Sequence, residues 1–254
     1  MWIDTHCHLD AAEFAADRDV VVAAAVEAGV EKIVVPAVAA RNFAAVRDCC
    51  QRYPGCVAAY GIHPMYTPQA GEADLLALRE WLVRERPVAV GEIGLDHFVP
   101  GLDPVRQQHF FVEQLKLARE FDLPVLLHVR RAVDPVLQAL RRIGVRGGIA
   151  HAFNGSRQQA DIFISLGFKL GFGGAMTWPQ ATRLRELAAT LPADSIVLET
   201  DAPDIPPVFV DQGRNSPEYL PRIAAVLAEL RDVPLAAVQE LSPRNTESVL
   251  PLLR

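Results

Sequence analysis

Two histidines one residue apart, His6 and His8, open a series of side chains suited to binding divalent cations, continued by Glu92, His128, His151 and Asp201. Imidazole nitrogens and carboxylate oxygens suit zinc, manganese or nickel, and a bridging carboxylate also admits magnesium. Four imidazoles and two carboxylates are too many for one tetrahedral ion, so the set predicts two divalent metal ions with a shared ligand. A carboxylated lysine serves as that bridge in some barrel hydrolases. Here the only lysines are Lys32, Lys116 and Lys169, at or near strand starts or within a helix. Glu92 is left as the bridge, with His6, His8 and Asp201 on one side and His128 and His151 on the other. Such a centre activates water for attack on a phosphoryl or acyl group. Asp201 is the expected proton acceptor, and Glu92 is the residue on which both halves depend.

The elements that must place these residues follow from the hydrophobic pattern. Eight short apolar, β-branched runs alternate with helical segments: 2–7, 32–36, 57–62, 88–93, 124–129, 147–152, 168–172 and 196–200. Between them, segments such as 103–121 repeat apolar residues near the helical period, with Phe110, Phe111, Leu115 and Ala118 among them. Gly29, Gly144 and Gly167 stand shortly before the next run, where a helix end favours positive φ. This alternation predicts a TIM (β/α)8 barrel, one domain over residues 1–254, with an extra C-terminal helix from 234 packing outside the barrel. All six candidate ligands then stand at or just past strand C-termini, the face on which this fold assembles active sites. Residues two apart on a strand share a face, so His6 and His8 point into the barrel and Cys7 points outward. The longest irregular stretches, 62–71, 94–103 and 202–215, follow strands and belong to that same face.

Half of the residues are hydrophobic and 22% are charged, which suits a packed core rather than a disordered chain. A formal charge of −6 gives no general basic field for a nucleic-acid or membrane surface, so any phosphate contact must be local. His63 after the third run and Arg130, two residues past His128, are the candidates for that contact. Arg131 reads as a solvated charge at a helix entry. Trp178 could stack on a base, and Glu199 shares strand parity with Asp201, so it faces the same cavity and orients its neighbours. Asp96 and Asn215 read as residues that shape the mouth or cap helices. Cys7, Cys49, Cys50 and Cys56 lack the paired spacing of a zinc site and read as reduced thiols of a cytoplasmic protein. Neither a secretory leader nor a membrane span is expected, and no obligate protein partner is indicated.

Six segments taken together carry a resemblance: Asp4 to Asp10, Gly61 to Pro64, Gly91 to Asp96, Leu127 to Arg130, His151 to Ser156 and Glu199 to Pro203. In content and order they resemble the TatD family of metal-dependent deoxyribonucleases, within the amidohydrolase superfamily, across nearly the whole chain. The resemblance implies a TIM barrel, a two-metal site on the six residues above, and phosphodiester hydrolysis with nucleic acid as substrate, typically exonucleolytic on DNA. His97 stands where the family often has an aromatic, and Ala152-Phe153-Asn154-Gly155 where it often has Cys-Phe-Ser-Gly. Neither departure removes a ligand, and the chain lies nearer the family's poorly characterised branch. Hydrolysis of C–O or C–N bonds in small molecules or aminoacyl-tRNA is the alternative chemistry for the same centre.

Overall fold

The computed structural model describes Met1 to Leu253. Eight strands follow one another around a single parallel sheet in sequence order: β1 (Trp2–Asp4), β2 (Val30–Pro36), β3 (Cys56–Tyr60), β4 (Ala89–Asp96), β5 (Val125–Arg130), β6 (Gly148–Ala150), β7 (Phe168–Phe172) and β8 (Ile196–Leu198). Crossover helices follow: α1 (Arg18–Glu27), α2 (Phe43–Arg52), α3 (Glu72–Glu85), α4 (Pro104–Glu120), α5 (Val133–Ile143), α6 (Arg157–Ser165), α7 (Thr182–Thr190) and α8 (Leu220–Arg231), before a final helix α9 (Leu235–Val249). The circle closes without a regular ladder between β8 and β1. Instead Thr5 N–H donates to the Leu198 carbonyl at 3.1 Å, Asp201 N–H to the His6 carbonyl at 2.8 Å and His8 N–H to the Ala202 carbonyl at 2.8 Å. These bonds fasten together the chain segments carrying His6, His8 and Asp201.

Helix starts follow local chemistry. Asp103 accepts the Val105 amide at 2.9 Å with Pro104 at the first turn of α4, and Ser156 and Gln159 cap α6 reciprocally. The larger apolar cluster lies between strands and helices and includes Phe43, Phe111, Leu115, Phe163 and Phe168. A smaller cluster takes Ile3, Val34, Ala59, Ala89, Leu126, Ile149 and Val197 from strands all around the ring, which can meet only inside the barrel. Leu126, Ile149 and Val197 each stand two residues before His128, His151 and Glu199 and share their faces, so this layer forms a dry base beneath the candidate site.

The last segment departs from expectation. Val249, Leu250 and Leu253 join the inner cluster, and Asn245 Nδ2 donates to the carbonyls of Ala193 and Ile196 at 2.9 and 2.7 Å. The C-terminal helix and its following turn therefore cover the lower end of the barrel rather than packing only against its outer ring. The barrel interior exposes apolar side chains below β1 and β8, and Leu250 and Leu253 bury them. Among the described residues no helix is long and apolar enough to cross a membrane, and all four cysteines are free thiols.

Candidate metal centre

At the opposite end, the chain leaves β1, β6 and β8 just before the functional residues. Their backbone is held by side-chain bonds in place of a ladder. Asp4 is fully buried and accepts the amides of His6 and Thr200 at 3.2 and 3.0 Å, with the Thr200 hydroxyl on its other oxygen at 2.5 Å. Asn215 Nδ2 ties the carbonyls of Thr200, Asp204 and Ile205, which fixes the turn after Asp201. Gln114 of α4 reaches up to accept from Ile62 N–H and donate to its carbonyl, steadying the approach to His63. Arg18 donates to the carbonyls of Leu9, Asp10 and Ala11, pinning the loop after His8.

Glu92, 1% exposed, is the centre of the arrangement. Its Oε2 lies 3.2 Å from His6 Nε2 and 3.5 Å from His8 Nε2. Its Oε1 lies 3.1 Å from His128 Nδ1, 3.0 Å from His151 Nε2 and 3.4 Å from His63 Nε2. Asp201 Oδ1 faces both His6 and His8 at 3.8 Å and His151 Nδ1 at 4.0 Å. All six sequence-derived ligand candidates thus converge, divided between the two oxygens of one carboxylate. His6, His8 and Asp201 place their ligand atoms within 4.8 Å of one another, as do His6, Glu92 and His151.

These donor sets fit divalent cations. His6 and His8 approach Nε2 to Nε2 at 3.3 Å, a contact that aims two lone pairs at one point unless a proton intervenes. Charge is strongly perturbed throughout. Burial and the neighbouring His151 push His6 down to about 3, whereas His8 is raised to about 9 and His151 to about 10, where Glu92 and Asp201 outweigh burial. Burial works to raise Glu92, yet the imidazoles of His63, His151 and His6 hold it well below the ordinary carboxylate range. A buried carboxylate pair among imidazoles that compete for protons is a site arranged for positive charge.

Two further residues bear on the ligand candidates. His63 also clusters with Glu92 and His128, but its Nδ1 accepts the Met65 amide at 3.2 Å. In the neutral ring the proton therefore resides on Nε2, which faces the site as a donor rather than a free lone pair. Asp96, 1% exposed, accepts His128 Nε2–H at 2.9 Å, leaving the His128 Nδ1 lone pair toward Glu92, and its other oxygen accepts the amides of Phe98 and Val99. Its sequence signal was its place two residues past Gly94 in the Gly91 to Asp96 segment, yet strand periodicity does not disclose which imidazole it meets.

The remaining candidates separate. Glu199 is buried beside His151, Oε1 lying 3.8 Å from His151 Nδ1 and accepting the Ala152 amide at 2.5 Å, while Oε2 has no hydrogen-bond partner. Gly171 makes room for it, since a Cβ there would overlap that carboxylate. Arg130 stands exposed at the mouth with its guanidinium 3.8 Å from the Phe98 ring centroid. Trp178 is not brought to the cavity lining; its indole donates to the Pro206 carbonyl at 3.1 Å and staples two loops together. A cavity of about 1240 Å³ opens above the centre, lined by His8, Glu92, His128, His151 and Asp201 below and by Phe98, Arg130, Arg131 and Arg183 above.

Comparison with known proteins agrees with this geometry. The model of the family described as TatD related DNase matches residues 3–251. The uncharacterised metal-dependent hydrolase YjjV of Escherichia coli K12 is 44% identical over 250 residues, covering 96% of each chain. Its crystal structure superposes with a TM-score of 0.95 over 98% of both chains. The protein named 3'-5' ssDNA/RNA exonuclease TatD from Escherichia fergusonii is 30% identical over 97% of each chain. A barrel whose six convergent ligand candidates sit inside a match of this length belongs to the TatD-related family of metal-dependent hydrolases.

Proposed function

We propose that this protein hydrolyses phosphodiester bonds at the ends of DNA or RNA, using two divalent cations held on either side of Glu92. The observation that carries the reading is the division of Glu92: Oε2 serves His6 and His8, and Oε1 serves His128 and His151. A carboxylate whose two oxygens face different imidazoles would be able to serve both cations. Cations bound there would lower the pKa of a water and offset charge gathering on phosphate oxygens.

The protein's own groups have separable tasks. Asp201 is poised to accept a proton, because burial raises its carboxyl above the ordinary range. His63, whose Nε2–H faces Glu92 Oε1 at 3.4 Å, would donate to an oxygen of a substrate bound beside that carboxylate. Asp96 orients His128, and Glu199 holds the chain at Ala152, next to His151. The relative named as a single-strand exonuclease and the family's description support nucleic acid as substrate.

The test is a screen of metal-reconstituted protein against single-stranded DNA, RNA, simple phosphodiesters and carboxylic esters. Cleavage of nucleic acid that chelation abolishes and zinc, manganese, nickel or magnesium restores is expected, with Glu92→Ala inactive. Full activity after exhaustive chelation overturns the reading. Turnover of carboxylic esters with no phosphodiester cleaved would replace it with C–O hydrolysis.

A further inference from the structure

Above the centre, two consecutive arginines converge on one exposed aromatic ring. The guanidinium carbons of Arg130 and Arg131 lie 3.8 and 4.6 Å from the centroid of Phe98, which is 44% exposed. Consecutive strand residues point to opposite faces. A positive φ of 53° at Arg131 breaks that alternation and brings both cations to the same ring. Several other guanidiniums meet carboxylates, as in Arg79 with Glu120, Arg146 with Asp122 and Arg157 with Asp161, and Arg222 stacks alone on Phe209. Two cations on one ring occur also at Trp81, but there Arg47 and Arg84 each hold a carboxylate. Neither Arg130 nor Arg131 has an ion-pair partner among the described residues, and both line the cavity over the centre. In a chain of net charge −6, this is a local concentration of uncompensated positive charge.

The clamp is tied to the centre. His97 N–H donates to the Arg130 carbonyl at 2.9 Å, and the amides of Phe98 and Val99 donate to the Asp96 carboxylate that also holds His128. Arg130 follows His128 by two strand residues, about 6.6 Å along β5. That offset is of the order of one nucleotide step in an extended strand.

We propose that Arg130 and Arg131, held by Phe98, form a subsite for the phosphate adjacent to the scissile one, so that the enzyme selects a polyanionic strand over an isolated phosphodiester. The proposal rests on the nuclease reading above. Paired guanidiniums bind phosphate oxygens through charge-assisted, often bidentate bonds. Phe98 is a positioning residue here: its ring holds both cations at the mouth in the absence of an acidic partner.

The experiment uses the metal-loaded enzyme and a single-stranded oligonucleotide in two forms, one with the linkage beside the scissile bond charged and one with it replaced by a neutral methylphosphonate. The parent should prefer the charged form about tenfold in kcat/KM, chiefly through KM. Arg131→Ala should abolish that preference, and the two losses should not add. The slope of log kcat/KM against log salt should fall by about 0.7 for the variant, the value of one single-strand phosphate contact. Phe98→Tyr should retain the preference, whereas Phe98→Leu should lose it with an unchanged melting temperature. Equal cleavage of both forms by the parent, or losses that simply add, overturns the subsite while leaving the nuclease reading intact. No cleavage of either form by the parent overturns both.

Discussion

Replacing Asp96 by asparagine separates its role in orienting His128, a candidate ligand, from its role as a loop anchor. Asp96 accepts His128 Nε2–H at 2.9 Å through one oxygen and the amides of Phe98 and Val99 at 2.8 and 2.9 Å through the other. Asparagine has nearly the same shape but only one acceptor. If its oxygen stays with the two amides, its NH2 faces His128 Nε2 and drives the imidazole proton to Nδ1, the nitrogen facing Glu92. If the amide flips, its NH2 opposes two backbone N–H groups, which leaves buried donors unsatisfied at about 1–3 kcal/mol each. The first arrangement costs less, so the variant should hold His128 in the wrong tautomer for a cation. Losing such a supporting partner weakens metal affinity about 10–100-fold, or about 1.4–2.8 kcal/mol at 1.4 kcal/mol per tenfold. Isothermal titration calorimetry with a divalent metal on chelator-stripped protein reads this directly. Asp96→Ala leaves room for water to accept the proton, so the asparagine variant should bind metal more weakly than the alanine variant despite being the closer mimic. Parent-like affinity in Asp96→Asn, or weaker binding in Asp96→Ala than in Asp96→Asn, would mean that Asp96 does not set the His128 tautomer.

Glu199 gives a pH prediction. Burial lifts its folded value from 4.5 to about 8, so between those values the native state keeps a proton that the unfolded chain loses, and this contribution to stability declines as pH rises. In metal-free protein, Glu199→Gln should therefore gain melting temperature relative to the parent on going from pH 5 to pH 8; a constant or shrinking difference contradicts the sign. Gly171→Ala places a methyl group against the same carboxylate, and thermal denaturation should show a loss of about 1–3 kcal/mol. Arg18→Ala removes donors from the carbonyls of Leu9, Asp10 and Ala11 and should lower urea stability by about 1–3 kcal/mol while loosening metal binding at His8. Unchanged stability would mean that solvent serves those carbonyls equally well.

The sequence disclosed the strand order and the ends of strands because burial on both faces leaves continuous apolar runs, and because ligands cluster where such runs stop. It overstated strand length at those places. The ladder of β1 ends at Asp4 and that of β8 at Leu198, so His6, His8 and Asp201 are positioned by Asp4, Thr200 and cross-barrel amides. Those partners are about two hundred residues apart in the chain, and periodicity carries no information about such pairs. Asp96 illustrates the same limit, since its pairing with His128 depends on register between β4 and β5. For Trp178, residue type suggested stacking on a base, but the nearby Pro206 carbonyl gives the indole N–H a partner within the protein. The two arginines after His128 read as one contact and one solvated charge. Only the backbone turn at Arg131 unites them.

The sealed lower end of the barrel governs how matter moves through this protein. Leu250 and Leu253 share one buried apolar cluster with Ile3, Val34 and Val197, so among the described residues dry side chains cover the inner layer from below. The cavity over the candidate centre opens at a mouth framed by Phe98, Arg130, Arg131 and Arg183, through which substrate, product and exchanging cations would pass. On the proposed nuclease reading, a strand shortened from its end would be advanced into that mouth and not threaded through the molecule, and each product would leave by the way it came.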